Sequence, residues 1–171
     1  AYFKELRVET GIVSKEQFIE LVRLYALLHD IGHLPLSHLF EMAVKSWTGG
    51  PQREIEVKEK WTGTTGYTKH NEAFGAVIAK KMIPGLKLSR PLGKALLAVL
   101  AEKELPLKHP LSIVKQLVDF DIDADRIDAT QRDGFAAGGK YGHYDIRRLC
   151  DSVFLERDKE GWGIVYSEKA L

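Results

Sequence analysis

The sequence predicts an all-α fold closed by one small C-terminal β-hairpin. Three observations carry that expectation. Apolar residues recur at helical spacing along most of the chain, strand-like alternation is scarce, and Asp158-Lys159-Glu160-Gly161 separates two short β-prone runs near the end. At 171 residues the chain is one domain's worth and long enough to bury a core.

The first strong helical pattern runs over about 15–31. Ser14 and Gln17 form a capping box ahead of it, and Val13 and Phe18 are spaced to staple its first turn. Phe18, Ile19, Leu21, Val22, Leu24, Tyr25, Leu27 and Leu28 leave only Glu16, Glu20 and Arg23 as a polar stripe, so burial on most sides is expected. Gly32 and Pro35 break the pattern, and a second helix starts near Ser37. Residues 46–69, with Gly49, Gly50, Pro51, Gly63 and Gly66, read as a long loop with room for one short charged helix. Helical pattern resumes over about 71–82 and closes at Pro84-Gly85. Further helices are expected near 91–103, 110–120, 123–135 and 144–151, followed by hairpin strands at 153–157 and 162–167. This divides the chain into a helical core, 1–151, and the start of a C-terminal extension, 152–171.

Composition narrows the function classes. Hydrophobic residues at 44% and charged residues at 29% suit a soluble globular protein. No apolar run approaches the roughly 20 residues of a membrane span, and Lys4, Glu5 and Arg7 break any early signal-like stretch. The lone Cys150 excludes an internal disulfide and fits a cytoplasmic, reducing location, where it serves as a small hydrophobe. A net charge of +1 gives no field that would attract nucleic acid.

The chemistry is concentrated in two places. Within thirteen residues, 29–41, the chain holds His29, His33, His38, Asp30 and Glu41 between apolar residues. A single histidine on a buried helix is usually a hydrogen-bonded core residue. Three with two carboxylates each need a partner, and a divalent metal satisfies several at once. Adjacent helical residues point about 100° apart, so His29 and Asp30 can share a metal only near a helix end, which Gly32 supplies. The second cluster has six aspartates within fifteen residues: Asp119, Asp121, Asp123, Asp125, Asp128 and Asp133. An acidic helix start is the plain reading. A calcium loop fails, because Arg126 takes the glycine position and Arg132 the bidentate-glutamate position. On a helix, Asp121, Asp125, Asp128 and Arg132 share one face.

Together, His29-Asp30-Ile31-Gly32-His33-x-Pro35-x-Ser37-His38-x-x-Glu41, then His70, then Asp123-Ala124-Asp125-Arg126-x-Asp128-x-x-x-Arg132-Asp133 resemble the HD superfamily, in which ligands in the order H…HD…D bind a divalent metal. The extended pattern is similar to the deoxynucleoside triphosphate triphosphohydrolase branch, which includes dGTPases, over about residues 18–150. The resemblance implies an HD-domain helical bundle. It implies that His29, Asp30 and Asp125 hold the metal, which could be Mn, Mg, Fe, Ni or Zn, and that His33 and His38 face the triphosphate. It implies that His70, backed by Glu41, forms an acid–base dyad, that Arg126 contacts phosphates, and that Asp133 lies near the sugar. Imidazoles suit this work because they titrate near neutrality.

Three departures stand out. No histidine precedes His29, so the family's first ligand would lie some ten residues before Ala1, and the chain reads as a fragment. Ala129 stands where related enzymes often carry a tyrosine, and the family's downstream arginine-rich segment is absent. The expected activity is hydrolysis of a dNTP to deoxynucleoside and triphosphate, by a homo-oligomer with no membrane or nucleic-acid partner. The alternatives are another HD phosphomonoesterase or phosphodiesterase, and a non-catalytic nucleotide-sensing module. His109, His143, Trp47, Trp61 and Trp162 read as structural or surface residues.

Overall fold

A computed structural model of the chain describes residues 1–67, 69–101, 105–106, 108–119, 123–139 and 142–167. Its α-helices are α1 (Tyr2–Thr10), α2 (Lys15–Leu28), α3 (His38–Thr48), α4 (Pro51–Thr62), α5 (His70–Met82), α6 (Arg90–Ala101), α7 (Ser112–Val118), α8 (Ala124–Ala136) and α9 (Ile146–Asp151). A 3-10 turn, Ile83–Gly85, follows α5, and strands β1 (Val153–Arg157) and β2 (Trp162–Tyr166) pair antiparallel. The expected all-α class with one hairpin is what forms. No helix among the described residues is long and apolar enough to cross a membrane. The chain divides into two compact units: Ala1–Val22 with Leu105–Leu171, and Arg23–Glu104.

The first unit is built around α1, α7 and the hairpin. Leu6, Ile12, Leu21, Leu111, Ile113, Val114 and Val118 are buried there. The Tyr2 ring stands edge-on to Phe18 and Trp162, and its hydroxyl donates to the Pro110 carbonyl at 2.8 Å. Gln116 on α7 treats β2 as a neighbouring strand would: its amide donates to the Trp162 carbonyl at 3.2 Å and accepts from the Ile164 N–H at 3.0 Å. Val153 lies opposite Tyr166 and Arg157 opposite Trp162. The hairpin turn closes on the Asp158 carboxylate, which accepts from the N–H groups of Glu160 and Gly161. Asp123 caps α8, accepting from the Arg126 N–H at 2.7 Å. Its position just outside the helix explains why it is buried while Asp125 is exposed.

In the second unit α5 and α6 pack through small faces. Ala73, Ala76 and Ala79 on α5, and Leu92, Ala95, Leu96 and Val99 on α6, are buried. The Tyr67 hydroxyl donates to the Ala101 carbonyl, and the fully buried Lys58 ammonium donates to the Tyr67 carbonyl.

Several expectations need correction. The stretch 46–69 is mostly helical, because α3 continues to Thr48 and α4 fills Pro51–Thr62. Its glycines punctuate rather than dissolve the helices: Gly49 and Gly63 are left-handed C-caps with φ of 70° and 66°, and Pro51 opens α4. Helix α2 ends at Leu28, three residues early, and is not buried on most sides. Only Leu21 and Tyr25 are buried on it, while Leu27 is 76% exposed. Half of the capping box forms, with the Ser14 hydroxyl accepting from the Gln17 N–H, while the Gln17 side chain accepts from the N–H of Val13 rather than of Ser14 itself. The hydrophobic staple does not, since Val13 is 60% exposed and Phe18 packs edge-on to Tyr2 and Phe3 of α1 instead. The expected ends near Lys103 and Phe120, and the expected face position Asp121, lie outside the described residues.

Candidate active site

The end of α2 places the first two site residues. His29 still donates its backbone N–H to the Tyr25 carbonyl at 2.8 Å, and the chain then leaves the helix through tight turns, Ile31 to Leu28 and His33 to Asp30. The His29 ring turns Nδ1 to the Ala26 carbonyl at 2.9 Å. A carbonyl only accepts, so Nδ1 donates here, and Nε2 faces an Asp30 carboxylate oxygen at 3.5 Å. A ring nitrogen facing a carboxylate oxygen in this way can be bridged by a proton or by a metal cation. The donor set, one imidazole and one carboxylate at an exposed helix end, fits a divalent metal.

His33 is held on both ring nitrogens. Nδ1 lies 2.9 Å from the Ser37 hydroxyl, and Nε2 lies 3.0 Å from the Asn71 amide and 3.3 Å from the other Asp30 oxygen. The turn that makes this possible is unusual. Leu36 and Ser37 both have positive φ, 68° and 48°, although neither is glycine. Such backbone costs on the order of 1–3 kcal/mol per residue and persists where surrounding structure fixes it. Gly32 brings the start of this loop against α5, for its Cα lies so near that a Cβ would stand 1.9 Å from the Asn71 carbonyl oxygen and 2.3 Å from the Gly75 nitrogen. The backbone approach carries Asn71 to His33.

The remaining imidazoles line a cavity of about 300 Å³ with Glu41, Met42, Lys45, Glu54 and Lys69. His38 opens α3 and is mostly exposed; its Nδ1 lies 3.3 Å from Glu41 on the next turn. The His33 and His38 rings meet edge-to-face at 5.4 Å. His70 opens α5 and is only 3% exposed, with Nδ1 3.6 Å from Glu54. Its Nε2 has no hydrogen-bond partner among the described residues. Burial pushes the His70 pKa below the ordinary value; Glu54 and Glu41 oppose that shift and Lys58 adds to it.

One expected pairing therefore changes. Glu41 was expected to back His70, but it pairs with His38, one helical turn away, and reaches His70 only as a nearby charge. The carboxylate beside His70 is Glu54. Sequence reading missed it because it sits in a stretch read as loop, although Gly50-Pro51 and Gly63 do bracket a helix. Asn71 was missed as well, since only the Gly32 contact reveals its direction. Asp125, Arg126 and Asp133 lie on α8, all exposed. The Arg126 guanidinium stands 3.9 Å from Asp123, and Asp128 pairs with Arg132 four residues on.

Residues 1–132 match the family model described as HD domain. The uncharacterized protein YwfO of Bacillus subtilis is 31% identical over 131 residues, which cover 76% of this chain and 24% of that protein. The uncharacterized protein MJ1154 of Methanocaldococcus jannaschii is 30% identical over 135 residues, 79% of this chain and 22% of that protein. The uncharacterized protein MG461 homolog of Mycoplasma pneumoniae is 25% identical over 152 residues, 89% of this chain and 33% of that protein. The chain thus spans no more than a third of the length of these relatives. No solved structure matches it.

Proposed function

We propose, since the chain belongs to the HD-domain family, that it serves as a metal-dependent phosphohydrolase releasing triphosphate from deoxynucleoside triphosphates. The observation that carries the reading is the His29–Asp30 pair, whose ring nitrogen and carboxylate oxygen face each other at 3.5 Å beside three further imidazoles, a donor set a cation would satisfy. In this reading Asp125 is the third metal ligand. When bound, the metal polarises a phosphoryl oxygen and lowers the pKa of bound water.

The chain's own residues do the rest. His33, held by Ser37 and Asn71, presents a fixed ring toward the phosphates. His38 with Glu41 is an imidazole–carboxylate pair in the same cavity, its Nδ1 held by the carboxylate and its other nitrogen left for a phosphate oxygen. His70, kept neutral by burial, is a proton acceptor. Arg126 supplies positive charge for the phosphate chain, and Asp133, seven residues on along α8, contacts the sugar. A homo-oligomer is the assembly the resemblance implies.

The test incubates the full-length protein with each dNTP and Mn or Mg, and separates the products by anion exchange. Intact triphosphate with deoxynucleoside is the expected outcome. Inorganic phosphate or a nucleoside monophosphate in its place would assign the site to another phosphoesterase reaction, and no product with any metal would leave a nucleotide-sensing module.

A further inference from the structure

We propose that Glu54 is the positioning residue for His70, the two forming a carboxylate–imidazole pair that leaves the unpartnered Nε2 as the nitrogen that takes up a proton in the reaction. The inference rests on the reading that the cavity lined by His38 and His70 is the reaction site. Glu54 lies in no part of the sequence pattern that marks the family resemblance. It comes from the first turn of α4.

Three observations converge on this pair. Glu54 approaches Nδ1 at 3.6 Å while Glu41, the other carboxylate in the cavity, is engaged by His38. Nε2 is buried and has no partner among the described residues, which is unusual for a polar atom in a folded interior. His70 and Glu54 both line the same cavity. A carboxylate at Nδ1 selects the tautomer with its hydrogen there, as the outer partner of a catalytic histidine does, and so frees the Nε2 lone pair. In hydrolysis that lone pair takes a proton from the attacking water as its oxygen bonds to phosphorus; the phosphorus–oxygen bond to the deoxynucleoside breaks, and the imidazolium, balanced meanwhile by Glu54, returns the proton to the departing 5′ oxygen.

The charges around the ring agree with this role. Lys58, one turn beyond Glu54 on α4, disfavours the imidazolium, while Glu54 and Glu41 favour it. His38 and Lys45 on α3, and Lys69 just before α5, complete the ionisable lining, with Lys69 paired to Glu72 at 3.5 Å. Without Glu54, only the more weakly acting Glu41 would oppose the effect of burial and Lys58.

The test follows His70 by NMR in the full-length protein, with its signals assigned by comparison with His70→Gln. In the wild type, nitrogen shifts at high pH should report the tautomer with hydrogen on Nδ1. In Glu54→Gln the His70 titration midpoint should fall, and kcat should drop roughly ten- to a hundredfold with KM and metal content little changed. Glu54→Asp should recover part of both losses. A wild-type ring with its hydrogen on Nε2 overturns the proposal without recourse to any variant, and so does an unmoved midpoint in folded Glu54→Gln. If no nucleotide is hydrolysed at all, the functional reading fails while tautomer and titration still decide the pair.

Discussion

His70 is the residue where burial and chemistry pull hardest against each other. An imidazole with 3% of its surface exposed and one nitrogen unpartnered lowers stability, and folding alone gives no reason to keep it. His70→Ala should therefore leave metal content intact and reduce dNTP turnover by a factor of about 10²–10⁴; full activity would remove it from the mechanism. Its ionisation also sets a stability trend. Burial holds the folded pKa below 6.5, so the unfolded chain binds this proton at higher pH than the folded one. The contribution is complete above 6.5 and is lost as pH falls through the folded value. Thermal midpoints should thus decline on acidification below 6.5, and His70→Gln should flatten part of that decline; parallel curves would exclude this group as a cause. At this scale the motif histidines were legible because they lie within one short stretch. Glu54 and Asn71 were not, because each acts across a helix contact that local spacing does not encode.

The elements were legible where periodicity was strong and misread where glycine was dense. Residues 46–69 suggested a loop, yet Gly49 and Gly63 each end a helix in the left-handed conformation. Composition alone cannot distinguish a glycine that stops a helix from one that prevents it. Gly32 is different again, since its role is close approach to α5. Gly32→Ala would drive a Cβ into backbone atoms that cannot swing aside, costing roughly 1–3 kcal/mol or more, and would pull the His33 loop from Asn71. Gly93→Ala on α6 is the matched control: its Cβ would meet the Ile83 side chain at an ordinary 3.8 Å. That change should stabilise the helix by up to about 1 kcal/mol. Thermal unfolding of the two variants should move in opposite directions, with metal content lost only in the first. Equal melting would mean the Gly32 approach is not what fixes the site.

For the molecule as a whole, helical periodicity was enough to give the class, whereas the extent of burial was not. An apolar helix such as α2 shows many hydrophobic positions in sequence, but only those with a neighbour become core, and Leu27 has none among the described residues that buries it. The proposed metal is the remaining global contribution, and linkage makes it measurable. A ligand that binds only the folded state stabilises it by about 2.7 kcal/mol at a hundredfold excess over its dissociation constant. For a chain of this size that corresponds to a rise in Tm of roughly 5–10 °C. The increment should appear with added Mn, vanish with a chelator, and be much reduced in His29→Ala and Asp125→Asn. Asp123→Asn separates ligand from cap: asparagine still accepts the Arg126 N–H at the start of α8, and the carboxylate it replaces is buried there. That variant should keep both its metal and its increment. If instead Asp123→Asn loses the metal and Asp125→Asn retains it, the ligand assignment on α8 is reversed, and the arginine and carboxylate placed by that face must be reassigned with it.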